Sequence, residues 1–579
     1  MRPGRKGDIM KLIPAINGTY EKTENRFRLP YRFGISGEYP EVNAVFAHRL
    51  GKMDDYRMAE HLAPSIVYRE SPLPDEAYAL EIGQEQVVIS AKGKAGYANG
   101  LTTLYQMIVG AASQSIPCGT LRDAPKYAVR GLMLDVCRHF FTVDEVKKII
   151  EQAALLKINR FHWHLSEDQG YRIESTVFPK LNEISSWRAL HPLDPMVSAG
   201  LAQKGERYGG YYTKEEIREV VAFAAARNME VVPEIDLPGH SSAVLAAFNA
   251  LTCSGEPLEV KNRFGIHERI YCAGNEKVFD FLQALLDEVC ELFPSPYFHI
   301  GGDEAPKSIW KTCPACNHVM AQEGLKSYEA LQSYFMNRVI AHLKTKGKTA
   351  IVWNESVAPH TLDDSAIVQY WFEMHPGESY MPPEVAAGRK FIMSSMNQLY
   401  CDNSYADLPL KATYLYNPQM RDCPVPEDSV LGIEAAVWTE WNARNEDIEK
   451  QLYPRLLAVA ECAWSRVRDF DDFLCRAKEW LQNAQLSLLE PTPWAEATIS
   501  GERALQAILD KILGQMRVPR SREGKPDEED SIMTLPDDMD YSGMAEHFMR
   551  DKYKASYADE EIAWLTERLL SAGRGREGD

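Results

Sequence analysis

The chain has 579 residues, 45% of them hydrophobic and 25% charged, with a formal net charge of −19. That length exceeds one ordinary domain, and the composition is that of a globular protein of two or three domains. The negative balance excludes a nucleic-acid binder, which needs a basic face for phosphates, and no apolar run approaches the roughly 20 residues of a membrane span.

The first residues, MRPGRKGDIMKLIPAI, are basic, but Lys11 and Pro14 interrupt the apolar stretch. The expectation is a soluble protein without a secretion signal, working in a bacterial cytoplasm. Residues 76–91, EAYALEIGQEQVVISA, alternate with period two on both sides of GQEQ and predict a β-hairpin. A helix-like stretch follows near residues 96–112, and YRFGIS earlier reads as a strand. Together they predict a small α+β domain ending near residue 125.

From residue 130 the pattern changes to short apolar runs that alternate with amphipathic stretches. The runs are RGLMLDVCR (130–138), RFHWHL (160–165), MEVVPEID (229–236), YFHIGGDE (297–304), TAIVWNE (349–355), AIVQYWF (366–372), KFIMSS (390–395) and GIEAAVWTE (432–440). The first two connections open with capping boxes, Thr142 with Glu145 and Thr213 with Glu216, whose side chains satisfy free amides at a helix start. Val146, Ile149, Ile150 and Ala153 share one helical face, as do Phe279, Leu282, Leu286 and Val289. A doubly wound sheet would also alternate, but eight continuous apolar strands favour a (β/α)8 barrel over residues 126–490. The connections after the sixth and seventh strands are the least regular.

In such a barrel the active site lies at the C-terminal strand ends. Those ends supply Arg138; His162, Trp163, His164, Glu167 and Asp168; Glu234, Asp236 and His240; His299, Asp303 and Glu304. The later strands add Trp353 and Glu355, Trp371, Tyr400 and Asp402, and finally Trp438 and Glu440. Singly, each reads equally as a packed core residue or a rim ion pair. Together, carboxylates beside aromatic platforms are the chemistry of a sugar site. The pair of histidines in HWH also suits a metal-dependent barrel hydrolase, but the fifth and sixth strands end in tryptophan and offer no histidine to complete that site. A sugar-binding barrel without catalysis is a third reading, opposed by the intact Asp303–Glu304 pair and Arg138.

The 11 cysteines are scattered without the spacing of a disulfide framework, as suits a reducing compartment. Cys313 and Cys316 form one CxxC, read as structural or incidental because no second pair follows at zinc-finger spacing. In the tail, RVPRSREGKPDEED (517–530) has the composition of a linker. It separates a helix carrying Leu505, Ile508, Leu509 and Ile512 from another carrying Ile562, Leu565 and Leu569, a helical extension over 491–579.

The segments RGLMLDVCRHFF, KINRFHWHLSEDQGYRIES, YYTKEEIREVVAFAAARNMEVVPEIDLPGHS, FHIGGDEAPKSIW and AAVWTEW carry a specific resemblance. Across roughly residues 76–465 the chain resembles glycoside hydrolase family 20, the β-N-acetylhexosaminidases. The resemblance implies a barrel preceded by a small α+β domain, and an exo-enzyme that releases terminal β-linked N-acetylhexosamine with retention. It implies no cofactor and no metal. The partner is an oligosaccharide or glycoconjugate, and a disaccharide-releasing or sulfated-sugar variant stays open. The family is an exception among glycosidases: the substrate's own acetamide oxygen attacks the anomeric carbon. By resemblance Glu304 is the general acid and later the base, and Asp303 orients the acetamide and stabilises the oxazolinium cation. Arg138 matches the arginine that holds ring hydroxyls, and Asp402 and Glu440 match acceptors for the others. Trp353, Trp371 and Trp438 match the tryptophans around the acetamido methyl and the sugar face, and Tyr400 the tyrosine that bonds the acetamide carbonyl. His240 matches a histidine near the acid. One position departs: the family shows two aspartates where this chain has Glu167 and Asp168, so the charge network with Arg138 and His240 is reached by a longer side chain.

Overall fold

A computed structural model describes residues 12–483, apart from 54–55, 112–113, 359, 373–378, 404, 406 and 421–422. The expected tail helices and their linker lie outside the described residues.

The N-terminal part is a seven-stranded sheet. Its strands are β1 (Thr19–Arg28), β2 (Arg32–Ile35), β3 (Arg57–Met58), β4 (Pro64–Glu70), β5 (Tyr78–Ile82), β6 (Val87–Ala91) and β7 (Ser115–Asp123), in the order β1-β7-β5-β6-β4-β2-β3. The expected hairpin is β5–β6, antiparallel with Leu80 opposite Ile89. The expected helix runs over Lys94–Gly110 and packs on both hairpin strands. It is buried almost all round, as its apolar composition requires. Strand β1, TYEKTENRFR, escaped the sequence reading because it is exposed and polar on nearly every residue. Backbone pairing with β7, rather than a buried face, holds it.

The second part is a closed eight-stranded parallel barrel. Its strands, first to eighth, are Val129–Asp135, Arg160–His164, Glu230–Glu234, Tyr297–His299, Thr349–Trp353, Ile367–Tyr370, Phe391–Met393 and Val430–Val437. Every apolar run found in the sequence supplies one strand, with its C-terminal end trimmed by one to five residues. Both capping boxes form, with Thr142 and Thr213 accepting from the amides of Glu145 and Glu216. The first of these helices buries its predicted face, and Glu276–Cys290 does likewise. After the sixth strand, the only helix among the described residues of the crossover is the six-residue Met381–Ala386. Among the described residues no helix is long and apolar enough to cross a membrane.

Two buried polar joints fix the sheet to the bottom of the barrel. Arg130 makes a two-pronged contact with Glu76 at 2.7 and 2.8 Å. Asp123 accepts from Tyr78 at 2.6 Å, Lys157 at 3.1 Å and the Trp464 indole at 3.0 Å. Bidentate and charge-assisted bonds of this kind are directional, so they set the orientation of the barrel floor.

Candidate active site

The fourth strand stops at His299, and the chain turns through Gly301 and Gly302 at φ of +64° and +106°. Side chains disfavour these values, and there is no room for one. A Cβ on Gly301 would lie 1.6 Å from Asp236 Oδ1, and one on Gly302 would lie 1.8 Å from Ser356 Oγ. The turn is tied by the Gly302 amide donating to Asp236 and by Gln332 donating to the Gly302 carbonyl. It delivers Asp303 and Glu304 to the rim of the barrel. Asp303 is buried, whereas the Glu304 side chain keeps 36% of its surface open. Glu304 and His240 both sit at positive φ, +44° and +46°, a strained conformation for residues with side chains.

The two strained residues face each other. His240 Nε2 lies 3.5 Å from Glu304 and 3.6 Å from Asp303. Its Nδ1 is 2.7 Å from Glu167, and the other oxygen of Glu167 meets Arg138 at 2.9 Å and His164 at 3.2 Å. A continuous charged chain therefore runs from Arg138 through Glu167 and His240 to the acid pair. Arg138 is held further by Asp135 at 3.4 Å and Gln169 at 3.2 Å, lies 3.8 Å from Glu440 and rests over the Trp438 ring at 4.9 Å.

Aromatic rings wall the other side. The Trp353 ring lies 6.4 Å from Trp371 and 6.1 Å from Trp438, and Tyr400 stacks on Trp371 at 5.9 Å with planes 12° apart. Asn354 fixes Trp371 by accepting its amide at 3.0 Å, while Glu355 accepts its indole at 2.8 Å. Asp402 accepts the Trp438 amide at 3.3 Å.

The carboxyls divide into two electrostatic classes. Burial acts to raise Glu167, but Arg138 and His240 override it and hold the group well below the usual range. Asp303 moves the other way, to about 6, through burial and the nearby Glu234, Glu304 and Glu167, with His240 opposing. Burial with Asp303 pushes Glu355 up to about 8, and burial with Glu440 pushes Asp402 up to about 7. Glu440 is raised by burial, with Asp135 adding to the effect and Arg138 opposing it. A pocket of uncompensated carboxyls suits a ligand rich in hydroxyl donors that becomes cationic as it reacts.

Comparison with known proteins agrees with this geometry. The family model described as glycosyl hydrolase family 20, catalytic domain, matches residues 127–467, and that family's domain 2 matches residues 13–124. The chain belongs to glycosyl hydrolase family 20. Among relatives of this family 20 chain, a beta-hexosaminidase of Porphyromonas gingivalis is 38% identical over 428 residues. That match covers 70% of the chain and 53% of the relative, so the chain spans about half the relative's length. The crystal structure of a β-N-acetylhexosaminidase from Bacteroides fragilis superposes with a TM-score of 0.73 at 29% identity, covering 85% of this chain and 99% of that one. An exo β-N-acetylglucosaminidase from Vibrio harveyi, crystallised with N-acetylglucosamine, gives 0.72 at 29% identity, covering 82% and 77%.

The eleven residues carried over from the family resemblance lie together at the C-terminal strand ends of the barrel. Glu167 joins Arg138 to His240 as expected, and its extra methylene also reaches His164. The histidines of HWH are each paired with carboxylates. His162 faces Glu434 at 2.8 Å and Glu234 at 3.0 Å, and His164 lies between Glu234 and Glu167. Several contributors had no role in the sequence reading. Asp135 accepts from the Cys137 and Arg138 amides and from Thr439, tying the first strand to the eighth. Its signal was a lone carboxylate at the end of an apolar strand, LMLD. Gln169 and Asn354 gave none.

Proposed function

We propose that this family 20 chain is a retaining exo-β-N-acetylhexosaminidase that releases terminal β-linked N-acetylglucosamine or N-acetylgalactosamine by substrate-assisted catalysis. The observation that carries the reading is the adjacent Asp303–Glu304 pair, gripped from below by His240 and facing the wall of Trp353, Trp371, Tyr400 and Trp438. The names of the relatives support it: a beta-hexosaminidase, a β-N-acetylhexosaminidase and an exo-enzyme crystallised with N-acetylglucosamine.

In this mechanism the two acids have different tasks, which their exposure matches. Glu304, at the open side, protonates the departing glycosidic oxygen and later takes a proton from water. Asp303, buried beside it, accepts the acetamide N–H. The acetamide oxygen then attacks the anomeric carbon as that bond breaks, leaving a cationic oxazolinium ring. A carboxylate about 4 Å from that charge contributes on the order of 4 kcal/mol at an effective dielectric near 20. Tyr400 donates to the acetamide oxygen, the tryptophans enclose its methyl and the sugar face, and Arg138, Asp402 and Glu440 hold the ring hydroxyls.

Successive fluorination of the substrate's N-acetyl methyl tests this directly. Fluorine withdraws electrons from the attacking oxygen while changing its volume modestly, so kcat/KM falls steeply from acetyl to trifluoroacetyl, with β configuration in the first-formed product. A flat series when chemistry is rate-limiting, or a glycosyl ester trapped on a carboxylate, would require a protein nucleophile instead.

A further inference from the structure

We propose that Cys253, Cys272, Cys313 and Cys316 bind one zinc ion as a tetrahedral tetrathiolate centre, outside the sugar pocket. The CxxC of residues 313–316 is not alone, as its sequence spacing implied: the fold brings two more cysteines to it, 41 and 63 residues away along the chain. All four sulfurs lie within 4.8 Å of one another. Cys272 is 3.7 Å from Cys316 and 3.8 Å from Cys313, and Cys253 is 3.8 Å from Cys316. Zinc–thiolate bonds of about 2.3 Å at tetrahedral angles place sulfurs about 3.8 Å apart, whereas a disulfide needs about 2.05 Å. Four sulfurs within 4.8 Å of one another, three of their separations at the spacing zinc imposes, are a ligand set for a single soft ion.

The surrounding backbone is shaped for the cluster. Cys313 caps the nine-residue helix Pro314–Gln322, and Cys316 lies in its first turn, where the positive helix end favours thiolate. Cys253 and Cys272 stand at the two ends of a long loop whose base is closed by the bridge Thr252–Tyr271 and by the Cys272 amide donating to Leu251. Gly274 lets this base meet the CxxC segment: a Cβ there would fall 2.2 Å from the Ala315 carbonyl carbon and 2.4 Å from the Cys316 nitrogen. On binding, each thiol gives up its proton, so zinc uptake releases protons and leaves a centre of net charge −2.

The centre would fasten two segments that border the pocket. The loop from Cys253 to Cys272 carries Arg263, whose carbonyl accepts from Gln169, the partner of Arg138, and Lys261, whose amide donates to Asp168. The other segment follows directly from Glu304 through Trp310, whose indole donates to Tyr271 at 2.9 Å. These cysteines position; they touch no reacting atom.

Metal analysis of the full chain purified under reducing conditions without chelator tests the assignment. The expected result is about one zinc per chain, released by a thiol-reactive mercurial and lost in Cys316→Ser. Because that variant could misfold, a second measurement uses wild-type protein produced with cobalt(II). It is expected to show thiolate-to-cobalt charge transfer and the visible bands of tetrahedral cobalt. Protein with four free thiols and neither zinc nor cobalt overturns the proposal. So does an intact mass lower by two hydrogens per bridge, which would mark disulfides, or stoichiometric iron in place of zinc. None of these readouts depends on glycosidase activity.

Discussion

The barrel holds two layers of carboxylates with opposite electrostatics. In the deep layer Glu234 meets His162 at 3.0 Å, His299 at 2.7 Å, His164 and the Trp353 indole at 2.9 Å, and it is held well below the usual carboxylate range although burial opposes this. Glu434 meets His162 and Gln369 and is lowered likewise. At the rim above, burial drives Asp303, Glu355, Asp402 and Glu440 up, and for Asp303 and Glu440 it outweighs the nearby charges of His240 and Arg138. The same residue type is charge-paired where it holds the barrel together and left frustrated at the rim. On the proposed mechanism, the rim gives up stability for a site that welcomes a developing cation. The deep layer and the Arg138–Glu167–His240 chain keep the rim in place.

The sharpest way to break this contrast is at the acid itself. Glu304→Gln leaves the pocket's shape nearly intact but removes proton donation, a loss of about 10² to 10⁴ in kcat/KM. The loss should be smallest for nitrophenyl glycosides, whose leaving group needs no proton. Equal losses for a nitrophenyl substrate and a natural disaccharide would remove Glu304 from that role.

The next largest effect contrasts the layers by stability. Glu234→Gln strips the counter-charge from His162, His164 and His299 and should destabilise the fold by about 3–5 kcal/mol, as breaking a buried ion pair does. Glu355→Gln, in the rim, should go the other way at high pH. Its folded-state value of about 8 lies above the ordinary glutamate value of 4.5, so folding favours the protonated form. That contribution is full below pH 4.5 and is lost as pH rises through about 8. A neutral glutamine escapes the loss, so the variant should gain thermal stability relative to wild type as pH rises from 5 to 9. Thermal melts of both variants across that range would collapse the two-layer picture if they shifted alike.

The rim was more legible in the sequence than the layer beneath it. Strand ends that project into a pocket interrupt apolar runs with Arg, Trp and carboxylates, and HIGGDE announces a turn that only glycine can make. His162, His164, Glu234 and His299 were visible as residues but not as a network, because their partners lie on strands 65 to 272 residues away. The four cysteines were hidden for the same reason: two of them reach the CxxC only through the fold. Strand β1 was invisible because pairing with β7, not a buried face, makes it a strand.

A smaller effect probes the link between layers. His240 lowers Asp303, so His240→Gln should raise Asp303 above its value of about 6. Asp303 is useful as an anion, so the acid limb of kcat/KM should move to higher pH, at about tenfold per unit below the limb. A limb that keeps its midpoint would show that His240 holds geometry alone.

The smallest effect concerns the residue in which this chain departs from the family pattern. Glu167 touches Arg138 at 2.9 Å with one oxygen and His240 at 2.7 Å with the other, while also accepting the Asp168 amide at 2.8 Å. Aspartate is one methylene shorter and cannot keep all of these contacts from an unmoved backbone. Arg138 carries a permanent charge, so the contact to His240 should loosen first. Glu167 is the leading influence that keeps His240 protonated against burial. In Glu167→Asp the histidine therefore loses its proton at a lower pH, its pull on Asp303 weakens, and the acid limb moves upward by less than in His240→Gln. The maximum of kcat/KM should change only a few-fold, because Arg138, Asp303 and Glu304 all remain. The sequence of shifts is the test: wild type lowest, Glu167→Asp between, His240→Gln highest. An unchanged profile in Glu167→Asp would mean that the deep network and the acid pair titrate independently, and that the longer side chain serves only to reach His164.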